Sequence, residues 1–393
     1  MRLSILKEEI INRQQTLYSS LQEKKIDGAV LFSVTDIFYL TGFNFRPSER
    51  PVVFFMDPQG DTHLLVPHLE KEHAEEYSQA QYVHIYPEYP GLRHPMEFLK
   101  DNLIEVGFQN KVIGIDANGY SSPKGYQGAS LKDLINVKKF ESLRGWVEEL
   151  RVIKSPGEIE LIKESCRWGN LAHRLLHKYS KAGLSEIEIS GRATHESTMM
   201  MIETLGNGFN PHGEPTHAFY RGQIGPHSYF PHSQTQNLIL KKGDNLVSQS
   251  EASVWGYRSE LERTMFVQEV SKEQEKYFTL MREAQKIAFA SIKPGNPFSS
   301  VEKNVQAFYK ENNVDHLTRH HTGHNLGLIN HEAPFFDLGD ERIMRPGMVA
   351  TIEPALYVEN LGGFRHSDTI LITESGVELL TYYPRDLESL IIQ

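Results

Sequence analysis

Apolar positions set the first elements of this chain. From about residue 5 to 24, Ile10, Leu17 and Leu21 recur on one side of a helix, so the chain opens on an amphipathic helix. Short apolar runs follow at 29–32, 37–40, 52–55, 63–66, 82–85 and 112–115, and these read as strands, several of them buried on both faces. Asp57, Pro58, Gln59 and Gly60 form a turn signal between two of the runs, which predicts an antiparallel hairpin there. Helical character is expected around 68–78 and 95–106. The first 150 or so residues therefore predict a self-contained α/β domain with a mixed sheet and no metal-like or nucleophile-like cluster, suited to a scaffold, lid or oligomerisation role.

The pattern changes near Val152–Glu158. Ser155 can cap a helix, Pro156 suits its first position and Glu158 completes a capping box. Ile159, Ile162, Cys166, Gly169 and Leu176 then recur at helical spacing. Equivalent starts are predicted at Ser185 with Glu188, Ser271 with Gln274, and Ser299 with Glu302. Between and after these helices lie β-like pieces at 245–250, 264–268, 349–352 and 369–373. This predicts an α+β second domain, helices covering a largely antiparallel sheet, with domains at 1–152 and 153–393.

Composition narrows the classes. No apolar run approaches the length of a membrane helix, and charges stand in MRLSILKEEIINRQQ where a signal peptide would be apolar, so no membrane partner and no secretion by that route are expected. The single cysteine, Cys166, excludes an internal disulfide and fits a reducing cytoplasm. A net charge of −10 without a basic tract argues against a nucleic-acid partner.

The chemistry concentrates in Arg319–Pro334, which holds His320, His321, His324 and His331 among glycines rather than on a helical apolar face. Upstream, His232 with nearby His227 could present one imidazole to a cleft. Glu260 and Glu262 alternate as on a strand and so share a sheet face. Two carboxylates there repel unless a cation, a proton or a cationic substrate lies between them; the plainer alternative is a pair bridged to Arg258 or Arg263. Glu353 ends an apolar strand before Pro354, a costly place for an unpartnered carboxylate, and Arg365 opens a further strand.

Taken in order, these segments resemble the pita-bread hydrolases, the group of aminopeptidase P, prolidase (Xaa-Pro dipeptidase), methionine aminopeptidase and creatinase. Thr322–Gly327 with His331 and Glu332, Pro346–Val349 with Glu353 and Pro354, Gly256 and Tyr257 with Arg263 and Thr264, and Phe364 and Arg365 with Asp368 and Thr369 carry the likeness, which extends to the N-terminal part. It implies a C-terminal pita-bread domain behind a creatinase/prolidase-type domain, and a homodimer. The peptidases hold two divalent metals through Asp, Asp, His, Glu and Glu. Carried over, the first aspartate falls on Gln249 (260 − 249 = 11 residues before the second), the second on Glu260, the histidine on His324, the first glutamate on Glu353 and the last on Ser367. Three ligands remain, Glu260, His324 and Glu353, enough for one ion (Mn, Co, Fe or Zn) with an open position, not for two.

The resemblance assigns catalytic roles to His232, His331, Glu353 and His320, and substrate binding to His232, Glu262 and Arg365, the last as a fork for a carboxylate. Three readings stay open. One is a Xaa-Pro-peptidase-like hydrolase of a small substrate, using one metal. A second is a creatinase-like hydrolase that needs no cofactor, in which Glu262 meets a guanidino or betaine-like cation and His232 is the acid and base. The third is a non-catalytic binding homologue.

Overall fold

The computed structural model describes residues 3–120 and 126–393, which fall into two compact units, Ile5–Arg151 and a second containing Val152–Gln393. In chain order the first unit contains α1 (Lys7–Glu23), β1 (Gly28–Leu31), α2 (Val34–Thr41), β2 (Val53–Met56), β3 (Thr62–Pro67), α3 (Lys71–Tyr77), β4 (Tyr82–Tyr86), α4 (Pro95–Glu105), β5 (Val112–Ile115), the short α5 (Leu131–Leu134) and β6 (Lys139–Ser142), then α6 (Trp146–Val152) at its end. Its sheet runs β4-β3-β2-β1-β5-β6 and is mixed: β1–β2 and β2–β3 are antiparallel, while β3–β4, β1–β5 and β5–β6 are parallel. Strands β1, β2 and β3 are buried along their whole length, which is why they read as unbroken apolar runs. The β2–β3 hairpin turns where expected, with Asp57 Oδ1 accepting the amides of Gln59 and Asp61 at 2.9 Å.

One predicted strand is a helix. Ile37–Leu40 lies inside α2, capped by the Ser33 hydroxyl at its start and closed by Gly42 at φ 74°. Ile37, Phe38, Tyr39 and Leu40 are all buried, and a short run that is apolar on every side looks the same in a buried helix as in a buried strand. The cap serine and the closing glycine were the arbiting signals.

The second unit continues with α7 (Pro156–Tyr179), α8 (Glu186–Leu205), β7 (Thr216–Phe219), β8 (Asn245–Val254), β9 (Tyr257–Arg258), β10 (Leu261–Val267), α9 (Lys272–Ser291), α10 (Ser299–Glu311), β11 (His324–Asn325), β12 (Glu332–Phe335), β13 (Val349–Ile352), β14 (Ala355–Val358), β15 (Gly362–Arg365), β16 (Ser367–Thr373), β17 (Gly376–Leu379) and β18 (Ile391–Ile392). Its main sheet runs β12-β11-β13-β16-β10-β8-β7, all antiparallel, and β18 adds to β10 in parallel. Capping boxes start α7 at Ser155 and α9 at Ser271. Two apolar clusters seat the helices. Leu176 of α7, Ile189 of α8 and Phe278 of α9 pack with Met265 and Phe266 of β10, while Ala288 of α9 and Val305 of α10 pack with Ile352 and Ile370.

Two details depart from the sequence reading. Phe298, not Ser299, precedes the first turn of α10, and the Glu302 carboxylate reaches away from the helix start to accept both the amide (2.9 Å) and the hydroxyl (2.6 Å) of Thr322. Arg365 closes β15 rather than opening a strand.

Candidate active site

Register places the first three residues. Glu262 of β10 lies opposite Gln249 of β8 on one side and Ser367 of β16 on the other, so the three form a row on a single face of the sheet. The backbone beneath is fixed by Arg263, fully buried and pointing the other way: its guanidinium donates to Asp368 Oδ1 (2.8 Å) and to the carbonyls of Ser367 (3.0 Å) and Pro384 (2.8 Å). Arg263 is thus not the bridge between the two glutamates. Glu260, one residue before β10, is pinned by Thr369, whose hydroxyl accepts the Glu260 amide (3.0 Å) and donates to its carbonyl (2.8 Å).

His324 and Glu353 arrive from β11 and the end of β13. Gly323 lets these segments meet, since a Cβ there would lie 2.2 Å from the Thr351 carbonyl oxygen. The Glu353 amide donates to the Thr322 carbonyl at 2.7 Å, so Glu302, through Thr322, steadies both ligand-bearing segments. His324 Nδ1 stands 3.1 Å from the Asn325 carbonyl, which can only accept, so the proton sits on Nδ1 and Nε2 faces the carboxylates. Nε2 is 3.1 Å from Glu353 Oε1, at ion-pair distance but outside good hydrogen-bond alignment. One donor atom each from Glu260, His324 and Glu353 lies within 4.8 Å of the others, and all three residues are buried.

Electrostatics tie these groups together. Burial, reinforced by the Glu353 charge, raises the Glu260 carboxyl to about 8, and Ser367 donates to its Oε1 at 2.9 Å. Burial also disfavours charge on His324, but Glu353 and Glu260 outweigh it and hold the ring up at about 9. Glu353 is held well below the usual carboxylate range, its desolvation being overcome by His324, His320 and Arg365. Two carboxylates and a ring with Nε2 turned inward suit one divalent cation, which would displace the protons on Glu260 and His324. Gln249 and Ser367 add no charge, so a second cation would lack the anionic bridging that close dications require.

The cluster opens on a cavity of about 190 Å3 whose walls include Gln249, Glu260, Glu262 and Glu353. His232, His320, His321 and His331 also line it, with Arg221 and Arg365. His227, the other imidazole considered upstream, is exposed and not among the lining residues. Gln249 Oε1 is buried and without a hydrogen-bond partner.

Glu262 and Arg365 face each other. The guanidinium grips both carboxylate oxygens, Nη2 to Oε1 at 2.6 Å and Nε to Oε2, so the two residues expected to bind substrate are each other's partners here. Arg365 Nη1 donates to the Tyr357 hydroxyl (2.8 Å), which stands 2.9 Å from His320 Nε2. His320 Nδ1 lies 2.8 Å from the His321 carbonyl and so carries that ring's proton; Tyr357 therefore donates to Nε2. Burial pushes His320 down to about 4, so it is a neutral ring with both nitrogens engaged.

His331 and His232 are the open imidazoles. His331 stacks on His324 with ring centroids 3.9 Å apart, and desolvation of the stacked ring beside the His324 charge pushes it down to about 4. His232 is exposed at the cavity and lowered by partial burial and by Arg221 and Arg365. Sequence reasoning missed Tyr357 and Arg221, which no motif marked. A second grouping, Glu214, His217 and Glu251, sits on the β7–β8 pair outside the cavity, its Glu214 side chain 75% exposed.

Known proteins resemble this chain along nearly its whole length. The Creatinase/Prolidase N-terminal domain profile matches residues 13–153. A Xaa-Pro dipeptidase of Pyrococcus furiosus is 28% identical over 377 residues, covering 95% of this chain and 99% of that protein. A putative dipeptidase, YkvY, of Bacillus subtilis is 26% identical, covering 96% and 99%. The crystal structure of the prolidase from Pyrococcus horikoshii superposes with a TM-score of 0.80 at 26% identity, covering 96% of this chain and 99% of that one. The profile of metallopeptidase family M24 matches residues 160–374, more than half of the chain and the whole of the site just described, and the protein belongs to that family.

Proposed function

We propose that this protein hydrolyses the imido C–N bond of small Xaa-Pro substrates of dipeptide size, using one divalent cation held by Glu260, His324 and Glu353. The carrying observation is that those three donors lie within 4.8 Å of one another, with Glu260 and Glu353 lining a cavity of about 190 Å3 that also carries neutral imidazoles. When bound, such an ion acts as a Lewis acid and makes water a nucleophile near neutral pH.

The rest falls to the chain's own groups. Glu353, on the cavity wall with its Oε1 3.1 Å from His324 Nε2, is the carboxylate placed to pass a proton from water to the departing imino nitrogen. His331 and His232, both neutral near pH 7, can each donate one hydrogen bond and accept another, enough to orient the scissile carbonyl. The buried chain from Glu262 through Arg365 and Tyr357 holds His320 fixed against the cavity. The expectations of a homodimer and a cytoplasmic location belong to the same reading, supported by the resemblance and by the single buried cysteine.

A second reading has one observation in its favour. His324 stands at ion-pair distance from Glu353, and Ser367 donates to Glu260, so the cluster has internal charge partners of the kind a metal-free hydrolase with His232 as acid and base would need. The engagement of Glu262 by Arg365 counts against the cation anchor of that scheme.

The test is cleavage of glycyl-proline beside glycyl-leucine by wild type and Glu353→Gln. The proposal expects selective cleavage of the proline peptide and a loss of at least roughly a hundredfold in kcat in the variant. Near wild-type turnover in Glu353→Gln would remove Glu353 from the chemistry.

A further inference from the structure

Two guanidinium groups line the active-site cavity, and they stand in opposite situations. Arg365 is fully committed to Glu262 and Tyr357. Arg221 has no carboxylate at ion-pair distance among the described residues; its Nη2 donates to the Pro231 carbonyl at 3.1 Å, while its Nε is screened from solvent with no acceptor. A guanidinium carries five donors in a planar fork, so most of this one's capacity is unspent.

The backbone beneath Arg221 is built for the purpose of presenting it. Arg221 has φ 55°, in the left-handed region that a residue with a long side chain seldom occupies, and Gly222 follows at φ 70°. Gly222 is required, since a Cβ there would lie 2.2 Å from the Gln234 carbonyl oxygen. Buried Glu186 locks the turn: one oxygen accepts the Gly222 amide at 2.7 Å, the other the amides of Gln236 (2.8 Å) and Leu238 (3.2 Å). The strained turn and the loop carrying His232 are thus tied to one carboxylate, and Arg221 is set beside His232 at the cavity wall.

We propose that Arg221 is the specificity-determining anchor for the carboxylate of the substrate's C-terminal residue, taking both oxygens in its open fork. The inference rests on the proposed Xaa-Pro activity for the identity of the substrate, and it replaces Arg365 in the role of carboxylate fork. The anchor makes the site discriminate a free C-terminus from an amidated one. With the carboxylate held at Arg221, the preceding imido bond is brought between His232 and the Glu260–His324–Glu353 cluster.

The test compares L-proline with L-prolinamide by calorimetry on wild type, Arg221→Lys and Arg221→Asn; asparagine tolerates a positive φ, so the turn is kept. The expected result is a wild-type preference for proline, a roughly ten- to hundredfold loss of proline affinity in Arg221→Asn with prolinamide little changed, and partial recovery in Arg221→Lys. In turnover, KM for glycyl-proline rises in Arg221→Asn far more than kcat falls. Equal proline affinity in wild type and a folded Arg221→Asn, or a wild type without preference for proline over prolinamide, overturns the proposal. A wild type that binds proline through Arg221 yet cleaves no Xaa-Pro bond leaves the anchor standing and removes the reading of function.

Discussion

At Glu260 the chain buries a carboxyl beside a second carboxylate, and the consequence is a dependence on pH. Its pKa in the folded protein, about 8, lies above the unfolded value near 4.5, so its contribution to stability is complete below about pH 4.5 and is lost as pH rises through 8. His324, raised from 6.5 to about 9, contributes fully below pH 6.5 and loses that contribution as pH rises through 9. Glu353, shifted downward, behaves oppositely and loses its contribution only in acid. Between pH 6.5 and 9 the first two act together, so the metal-free protein should melt at a lower temperature at pH 9 than at pH 6.5. Glu260→Gln should make that slope shallower. A melting temperature that is level across this window, or a variant as steep as wild type, would contradict the coupling. The residue types were legible in the sequence, but the pairing of Glu262 with Arg365 was not, because nothing local tells a strand glutamate which residue 103 positions along will face it.

Among elements, those with start signals of their own were the readable ones. Ser155 and Ser271 formed their capping boxes, and the hairpin at Asp57–Gly60 turned as its composition required. Two misreadings share one cause, a side chain or run whose partner lies elsewhere in the chain. Ile37–Leu40 is apolar all round because α2 is buried, and Glu302 leaves the start of α10 because Thr322 offers it two donors. That second misreading has a functional side, since Thr322 also accepts the Glu353 amide. Replacing Glu302 with glutamine should cost about 1–3 kcal/mol, the range for weakening a buried charge-assisted pair of hydrogen bonds. It should lower activity as well, by loosening the segment before His324. Thermal melting and kcat on one preparation check both, and a variant equal to wild type in each would show that Glu302 does not steady the site. Arg221 had no comparable signal, for a turn before Gly222 predicts a bend and not what the bend presents.

For the molecule as a whole, hydrophobic patterning foretold a mixed-sheet first unit and a helix-covered, mainly antiparallel second one, because both sheets bury continuous apolar faces. No helix among the described residues is long and apolar enough to cross a membrane. The polar face of the second sheet is where the chain spends its buried charge: Glu260, Glu262, Glu353 and Arg365 are each 8% exposed or less. Such a concentration is costly unless something other than packing recovers it. Metal content per chain is the measurement that bears most directly on this account, taken by elemental mass spectrometry on purified protein, with glycyl-proline cleavage followed before and after chelation and on adding metal back. The account predicts one divalent ion per chain, activity lost with the ion and restored by one equivalent. Activity that persists in protein free of metal would contradict it and leave His232 as the acid and base of a metal-free hydrolase.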